Sequence, residues 1–406
     1  MRDAIYTIGL VIVVLAAFEL GLRAAGVHYQ ASFYTPERER GFALRPNSSG
    51  WEVGENENYV RINSQGMNDR EHSVVRPAGT IRIALVGSSE TASCQIPREQ
   101  NFESVMERDL AAATGKNIEV MNFGVPGYGM AQIYLTLKNH VWQYDPQIVI
   151  AAIPLSIVLK NIRSLYPGEQ FDSPFFTQEN GRLVLDAQSR HATGPSLKRL
   201  RLKQISSDWM NGCELLALLN EARIGMSRRI QGLRPPVAMQ ASAASVPADY
   251  MQVWPFLDGR NSGGAGRNPL DPRLDEAWHI TEDLLRMMHA DAVQHHAEFW
   301  LVTIDESIQV HPDPQVRAAY QKRYHLASLS ASDERLDHFA QAENIHSLVL
   351  APSLARYAEE HHVILHGFPK NGFAGGHWNR VGNKVAGDTI AAGLLQKSET
   401  LHASIR

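Results

Sequence analysis

The sequence has little that could tie it together covalently. Cys94 and Cys213 are its only cysteines in 406 residues. That excludes a disulfide framework and a cysteine-rich zinc site, and leaves the redox compartment undecided. Excess charge is also missing, since 39 Lys+Arg against 43 Asp+Glu leave a formal net charge of −4. Nothing in that balance calls for a nucleic-acid partner. There is no internal repeat and no HExxH, and the segment GSSETA lacks the lysine of a phosphate-binding loop. The pairs His295-His296 and His361-His362 are sequence neighbours, which do not share a helix face, so no metal site and no cofactor are expected. No second apolar run matches the one at the amino terminus, which excludes a polytopic membrane protein. With 44% hydrophobic and 20% charged residues, the chain reads as globular, with length for one large domain or two ordinary ones.

The amino-terminal run itself is a membrane element by length. Ala4 to Phe18 is uncharged and mostly apolar, and counting on to Leu22 gives 19 residues. As a helix this spans about 28 Å, close to a bilayer's hydrocarbon core. Glu19 falls at the headgroup boundary. No small-x-small cleavage site is evident, so residues 1–26 are expected to be an uncleaved single-pass anchor rather than a signal peptide. Arg2 and Arg23 balance one another and leave orientation open.

Residues 27–79 are polar and turn-rich, and are expected to form an extended lead-in packed on the main domain. The hydrophobic period then alternates. Ile81–Val86, Ile118–Met121, Ile148–Ile153 and Phe299–Ile304 read as buried strands. Helices are expected from Phe102 to a stop at Gly115, over Met130–Trp142, from Leu274 to Ala292, over Asp333–Glu343 and from Arg380 to Leu395. Strands alternating with helices predict a parallel sheet covered on both faces, over about 80–400. The insertion at about 160–270 breaks the rhythm. Within it Ser196–Ile205 is basic and amphipathic, best read as a solvated face, with contact to anionic lipid or polysaccharide as the alternative. Cys213–Ile230 is expected to be helical, and Arg234–Pro247 and Gly259–Pro269 to be loops.

In an open parallel sheet, ligands bind beyond the carboxyl ends of the strands. Three segments fall there: Gly87-Ser88-Ser89-Glu90-Thr91, Asn122 to Gly129 (NFGVPGYG), and Pro154-Leu155-Ser156. A serine on a tight strand-to-helix turn exposes its hydroxyl, and nearby backbone N–H groups can hold an oxyanion. His377, in Gly375-Gly376-His377-Trp378-Asn379, stands before the last helix and could take the proton of Ser89 if the fold brings them together. Glu90 reads as a solvated rim residue.

With these motifs the chain resembles the SGNH (GDSL-like) hydrolases, and more closely their membrane-anchored bacterial branch found with envelope and exopolysaccharide genes. The tail of the anchor (FELGLR), INSQGMND, VGSSETAS, NFGVPGYG, FWLVTID and GGHWN occur in that family's order. The resemblance implies a three-layer α/β/α sandwich. It implies ester hydrolysis or acyl transfer, often of O-acetyl groups on an envelope or secreted polysaccharide, outside the cytoplasmic membrane. By position, Ser89 matches the nucleophile and His377 the base. The N–H groups of Ser89 and Gly127 match the oxyanion hole, and Ser156 stands where its asparagine is expected. Ser88 replaces the Asp of Gly-Asp-Ser. The acid that normally precedes the histidine falls on Ala374 or Gly375, neither of which carries a carboxylate. What remains is a Ser89–His377 dyad, which a backbone carbonyl could orient; Asp305 and Glu306, ending a strand on the same edge, are the best side-chain substitutes for the acid. The alternative is a catalytically degenerate relative that binds polysaccharide or scaffolds exopolysaccharide-machinery proteins.

Overall fold

A computed structural model describes residues 2–165, 173–179, 181–186, 205, 209, 211–220, 222, 272–371 and 375–405. The expectations for most of Ser196–Ile205, for the end of Cys213–Ile230, for the loops Arg234–Pro247 and Gly259–Pro269, and for Ala374 lie outside these residues.

A five-stranded, all-parallel sheet forms the centre. It contains β5 (Thr80–Gly87), β6 (Asn117–Asn122), β7 (Ile148–Pro154), β10 (Glu298–Ile304) and β11 (His346–Val349), in the order β11-β10-β7-β5-β6. Every residue of β5 and β7 is buried. The period of two sends Ala84, Val86, Val149, Ala151 and Leu301 to one face and Ile83, Leu85, Ile150, Trp300 and Val302 to the other. The first face packs against α4 (Met130–Thr136), α5 (Pro272–Gln294) and α7 (Ala331–Ala342). The second packs against α3 (Phe102–Thr114), α8 (Ala351–His361) and α9 (Arg380–Lys397), with α10 (Glu399–Ile405) beyond. This is the three-layer α/β/α sandwich that the alternation and the motifs imply.

Local chemistry sets the boundaries. The Asn101 side chain accepts the Ser104 N–H to open α3, and Gly115 closes it at φ 65°, a left-handed cap that glycine adopts without strain. The expected single helix over Met130–Trp142 is instead α4 followed by a π-turn over Leu137–Val141 and a short 3-10 turn. Thr136 bonds back to the Gln132 carbonyl at 2.8 Å, which weakens the regular ladder at that point.

The lead-in is more structured than an extended chain. It contains two antiparallel hairpins, β1 (Tyr34–Glu37) with β2 (Gly41–Leu44), and β3 (Ser49–Glu52) with β4 (Asn58–Arg61). Phe33, Phe42, Leu44, Val60, Ile62 and Met67 bury into the first core cluster. Buried Arg82 on β5 ties the end of this segment to the sheet. It donates to the carbonyls of Ser73, Val74 and Tyr144 and pairs with Glu119 at 2.6 Å, so its charge is fully partnered.

The amino-terminal helix α1 (Arg2–Ala24) buries no residue and is long and apolar enough to cross a membrane. At its inner end Glu19 accepts the N–H groups of Glu214 and Leu215, and Arg23 donates to the Gly212 carbonyl. The chain also forms a small hairpin, β8 (Phe176–Glu179) with β9 (Arg182–Leu185), and the helix α6 (Pro314–Tyr324).

Candidate active site

The strand order reverses direction about β5: the chain passes from β5 to β6 on one side, then crosses back to β7 on the other. The crevice beyond the carboxyl ends of β5 and β7 is therefore the switch point, where ligands bind in open α/β sheets. Ser89 opens the one-turn helix α2 (Ser89–Ala92) directly after β5. Its turn needs Gly87, because a Cβ there would lie 2.0 Å from Thr91 Oγ1 and 2.9 Å from the Ala152 carbonyl.

The second loop is bound to this turn. Buried Ser88 donates to the Tyr128 carbonyl at 3.1 Å. Asn122 donates to the Thr91 carbonyl at 2.7 Å while accepting the Gly124 N–H at 2.8 Å. A Cβ on Gly124 would fall 2.5 Å from the Ala92 nitrogen. The loop thus presses directly on α2 and holds Gly127, exposed at φ 92°, beside it. Lys160 caps the Gly127 carbonyl at 2.8 Å.

His377 arrives on the segment before α9, half-buried. Its carboxylate partner is Glu55, from the loop between β3 and β4. Glu55 Oε1 lies 2.7 Å from His377 Nδ1, and Oε2 accepts the His377 backbone N–H at 3.0 Å. Sequence reasoning missed this residue. It comes from the polar lead-in, 322 positions away, and the nearest signal was the carboxylate-rich stretch Glu52 to Glu57. The hairpin is pinned to the chain just after α2. Asn56 donates to the Gln95 carbonyl at 2.8 Å, and Asn58 to those of Cys94 and Ile96 at 2.9 and 2.8 Å. Gly376 is equally required, since at φ 92° an added Cβ would meet Glu55 Oε2 at 2.5 Å.

The other face of the ring meets Glu90. Its Oε1 lies 3.9 Å from His377 Nε2, and its Oε2 accepts the Ser89 hydroxyl at 3.2 Å. Ser89 and His377 make no direct hydrogen bond; one carboxylate touches both. Glu90, expected as a rim residue, is thus inside the site. Burial would depress the His377 pKa. The bond from Glu55 and the charges of Glu90, Glu55 and Glu52 outweigh it and raise the value to about 9. The same imidazolium and backbone N–H outweigh burial at Glu55 and hold its pKa below the usual carboxylate range.

The expected substitute acids do not serve His377. Asp305, buried at the end of β10, accepts His366 Nε2 at 2.7 Å and Trp378 Nε1 at 3.2 Å. Glu306 accepts the Ser156 N–H at 3.3 Å. Burial and the Glu90 charge push the Glu306 pKa up to about 7. Both carboxylates are thus spent on partners other than His377, which corrects them as substitutes for the missing acid; the Ser156 N–H is turned to Glu306. The paired histidines serve structure. His295 stacks on Trp142 with centroids 4.2 Å apart, His361 lies against Tyr357, and His296 and His362 take positive φ at the ends of their segments.

No family model matches the chain, and no curated protein does. Among solved structures, it is similar to the acetyl xylan esterase AlAXEase at 12% identity, with 77% of this chain and 100% of that one covered and a TM-score of 0.39. TesA shows 11% identity, coverage of 79% and 99%, and a TM-score of 0.37. A catalytic mutant of the acetylxylan esterase Axe2 from Geobacillus stearothermophilus shows 9% identity, coverage of 77% and 94%, and a TM-score of 0.37. At these scores function rests on the site alone.

Proposed function

We propose that the chain is a serine-dependent ester hydrolase or acyltransferase in which Ser89, His377 and Glu55 act as nucleophile, base and orienting acid. The observation that carries this is His377 held at Nδ1 by Glu55 while Nε2 faces the Ser89 turn. That is the division of labour a base needs, with one nitrogen fixed and the other free to shuttle a proton. In the first step Ser89 Oγ bonds to the acyl carbon and its proton passes to Nε2. The carbonyl oxygen takes the electron pair, held by the N–H groups of Ser89 and Gly127. Collapse expels the alkoxide, which takes the proton from His377 and leaves an acyl-serine. Water, or an acceptor hydroxyl, then repeats the sequence in reverse.

Glu90 must leave its bridging position for Nε2 to meet the hydroxyl. With a pKa of about 9, only about 1% of His377 is neutral at pH 7. A substrate that displaces Glu90 removes one of the charges that holds the proton.

The substrate class we propose is an O-acyl, chiefly O-acetyl, group on envelope or secreted polysaccharide. Support comes from the family-like motifs and from α1, which is long and apolar enough to cross a membrane; we take it as a single-pass anchor and place the domain on the outer face of the cytoplasmic membrane. A fluorophosphonate probe with intact-mass detection tests the chemistry. Labelling at Ser89 that disappears in Ser89→Ala supports an enzyme. A second reading is a degenerate binder of polysaccharide or of exopolysaccharide-machinery proteins. It is favoured by one observation: the Ser89 hydroxyl bonds Glu90 rather than His377. Absence of labelling at every pH supports that reading.

A further inference from the structure

A second histidine–carboxylate pair lies directly behind the first. His366 is buried, with 5% of its side chain exposed, and Asp305 has none exposed. Both ring nitrogens of His366 face acceptors: Nε2 meets Asp305 Oδ2 at 2.7 Å and Nδ1 meets the Gly376 carbonyl at 2.8 Å. A neutral imidazole can donate from only one nitrogen, so this environment selects the imidazolium. Burial, which works against the charge, is outweighed by Asp305 and by the Gly376 carbonyl, and the His366 pKa is raised.

The Gly376 carbonyl belongs to the peptide whose N–H is that of His377. That N–H is the group Glu55 Oε2 accepts. Neighbouring contacts hold the same strip in register. Gly367 donates to the His377 carbonyl at 2.8 Å, and Asn379 donates to the Leu365 carbonyl at 2.9 Å.

We propose that His366 is a positioning residue. Asp305 holds His366, His366 holds and polarises the 376–377 peptide, that peptide's N–H holds Glu55, and Glu55 returns to Nδ1 of His377. The chain of contacts ends on the His377 ring, and consecutive hydrogen bonds polarise one another. Glu55 needs such a hold because it sits on a hairpin loop from a remote part of the chain. The proposal rests on the assignment of His377 as base, and it concerns what fixes that base's acid.

The test is the titration of His377 in protein labelled with ¹⁵N-histidine, followed by NMR together with its Nδ1 proton resonance, in wild type, His366→Gln and Trp378→Phe. The charged groups around His377 are Glu55, Glu90 and Glu52, and those around His366 are Asp305 and Glu306, with Glu55 within its field. The sign of the shift separates two explanations. Removing a positive charge alone would strengthen proton binding at His377. Releasing Glu55 weakens it. We expect His366→Gln to weaken proton affinity at His377 about tenfold and to lose the Nδ1 proton resonance. Ser89 labelling should slow about 10- to 100-fold. Trp378→Phe, which removes the 3.2 Å bond to Asp305 and some packing on Phe102 but leaves both His366 contacts in place, should leave the His377 proton affinity and its Nδ1 resonance at their wild-type values. An unchanged or strengthened proton affinity in His366→Gln overturns the proposal. If that variant does not fold, Asp305→Asn is read by the same criteria. Absence of Ser89 labelling in wild type would remove the enzymatic reading and leave the coupling between His366 and His377 still measured.

Discussion

The two histidine–carboxylate pairs differ in what their surroundings leave open. The rim pair, His377 with Glu55, keeps 20% and 25% of its side chains exposed, and among the described residues Nε2 has no hydrogen-bond partner, with Glu90 3.9 Å away, beyond hydrogen-bond reach. The inner pair, His366 with Asp305, is closed to solvent and has both nitrogens engaged. A pair with one free nitrogen can move a proton. A pair with none can only hold something in place. Composition does not distinguish them; burial and the second partner do.

Four substitutions would sharpen or break that contrast. The largest effect is expected from Glu55→Gln, which should slow Ser89 labelling by about 10²–10⁴. It should also change the pH dependence of stability. The His377 pKa is raised, so the pair's stabilisation is full below about 6.5 and lost as pH rises through about 9. Thermal melts of wild type across that window should show this loss, and Glu55→Gln should flatten it. A variant as steep as wild type would mean that the rim pair does not exist in solution.

Asp305→Asn should cost about 3 kcal/mol in chemical denaturation, because it leaves a buried imidazolium without its counter-charge, and should weaken proton binding at His377 in the same direction as His366→Gln. A negligible change would contradict the closed inner pair. Gly376→Ala follows. It combines a positive φ with a Cβ aimed at the Glu55 carboxylate. It should cost about 1–3 kcal/mol and slow labelling by pushing Glu55 off the ring, whereas a melt and rate equal to wild type would remove the contact. The smallest effect is a gain. Glu90→Gln removes a charge that holds the proton on His377, so labelling at pH 7 should rise about 3- to 10-fold. A decrease would make Glu90 part of the machinery.

The scaffold was legible because its signals are local. The two-sided apolar runs Ile81–Val86 and Ile148–Ile153 could only be central strands, and Leu274, Ala277, Trp278, Thr281, Leu285, Met288 and Ala292 all face the core of α5 as their spacing requires. Elements with weak patterns escaped. The strand β11 is four half-buried residues, α6 is almost without an apolar face, with only Tyr320 buried, and the hairpins of the lead-in are four residues a strand. The site was legible only in part. Ser89 and His377 announce themselves by turn chemistry and motif. Glu55 does not, because its role is created by Asn56 and Asn58 reaching the carbonyls of 94–96. Asp305 and Glu306 were placed on the correct edge, yet position on an edge does not say which neighbour a carboxylate meets. Trp378, His366 and Ser156 reached them first.

The measurement closest to the heart of this account is the pH–rate profile of fluorophosphonate labelling at Ser89 in wild type and Glu55→Gln. Wild type should rise with pH to a plateau with its midpoint near 9, where His377 loses its proton. Glu55→Gln should show a midpoint at lower pH and a plateau at least about 100-fold lower. Two superimposable profiles would contradict the assignment of Glu55 as the acid that orients His377.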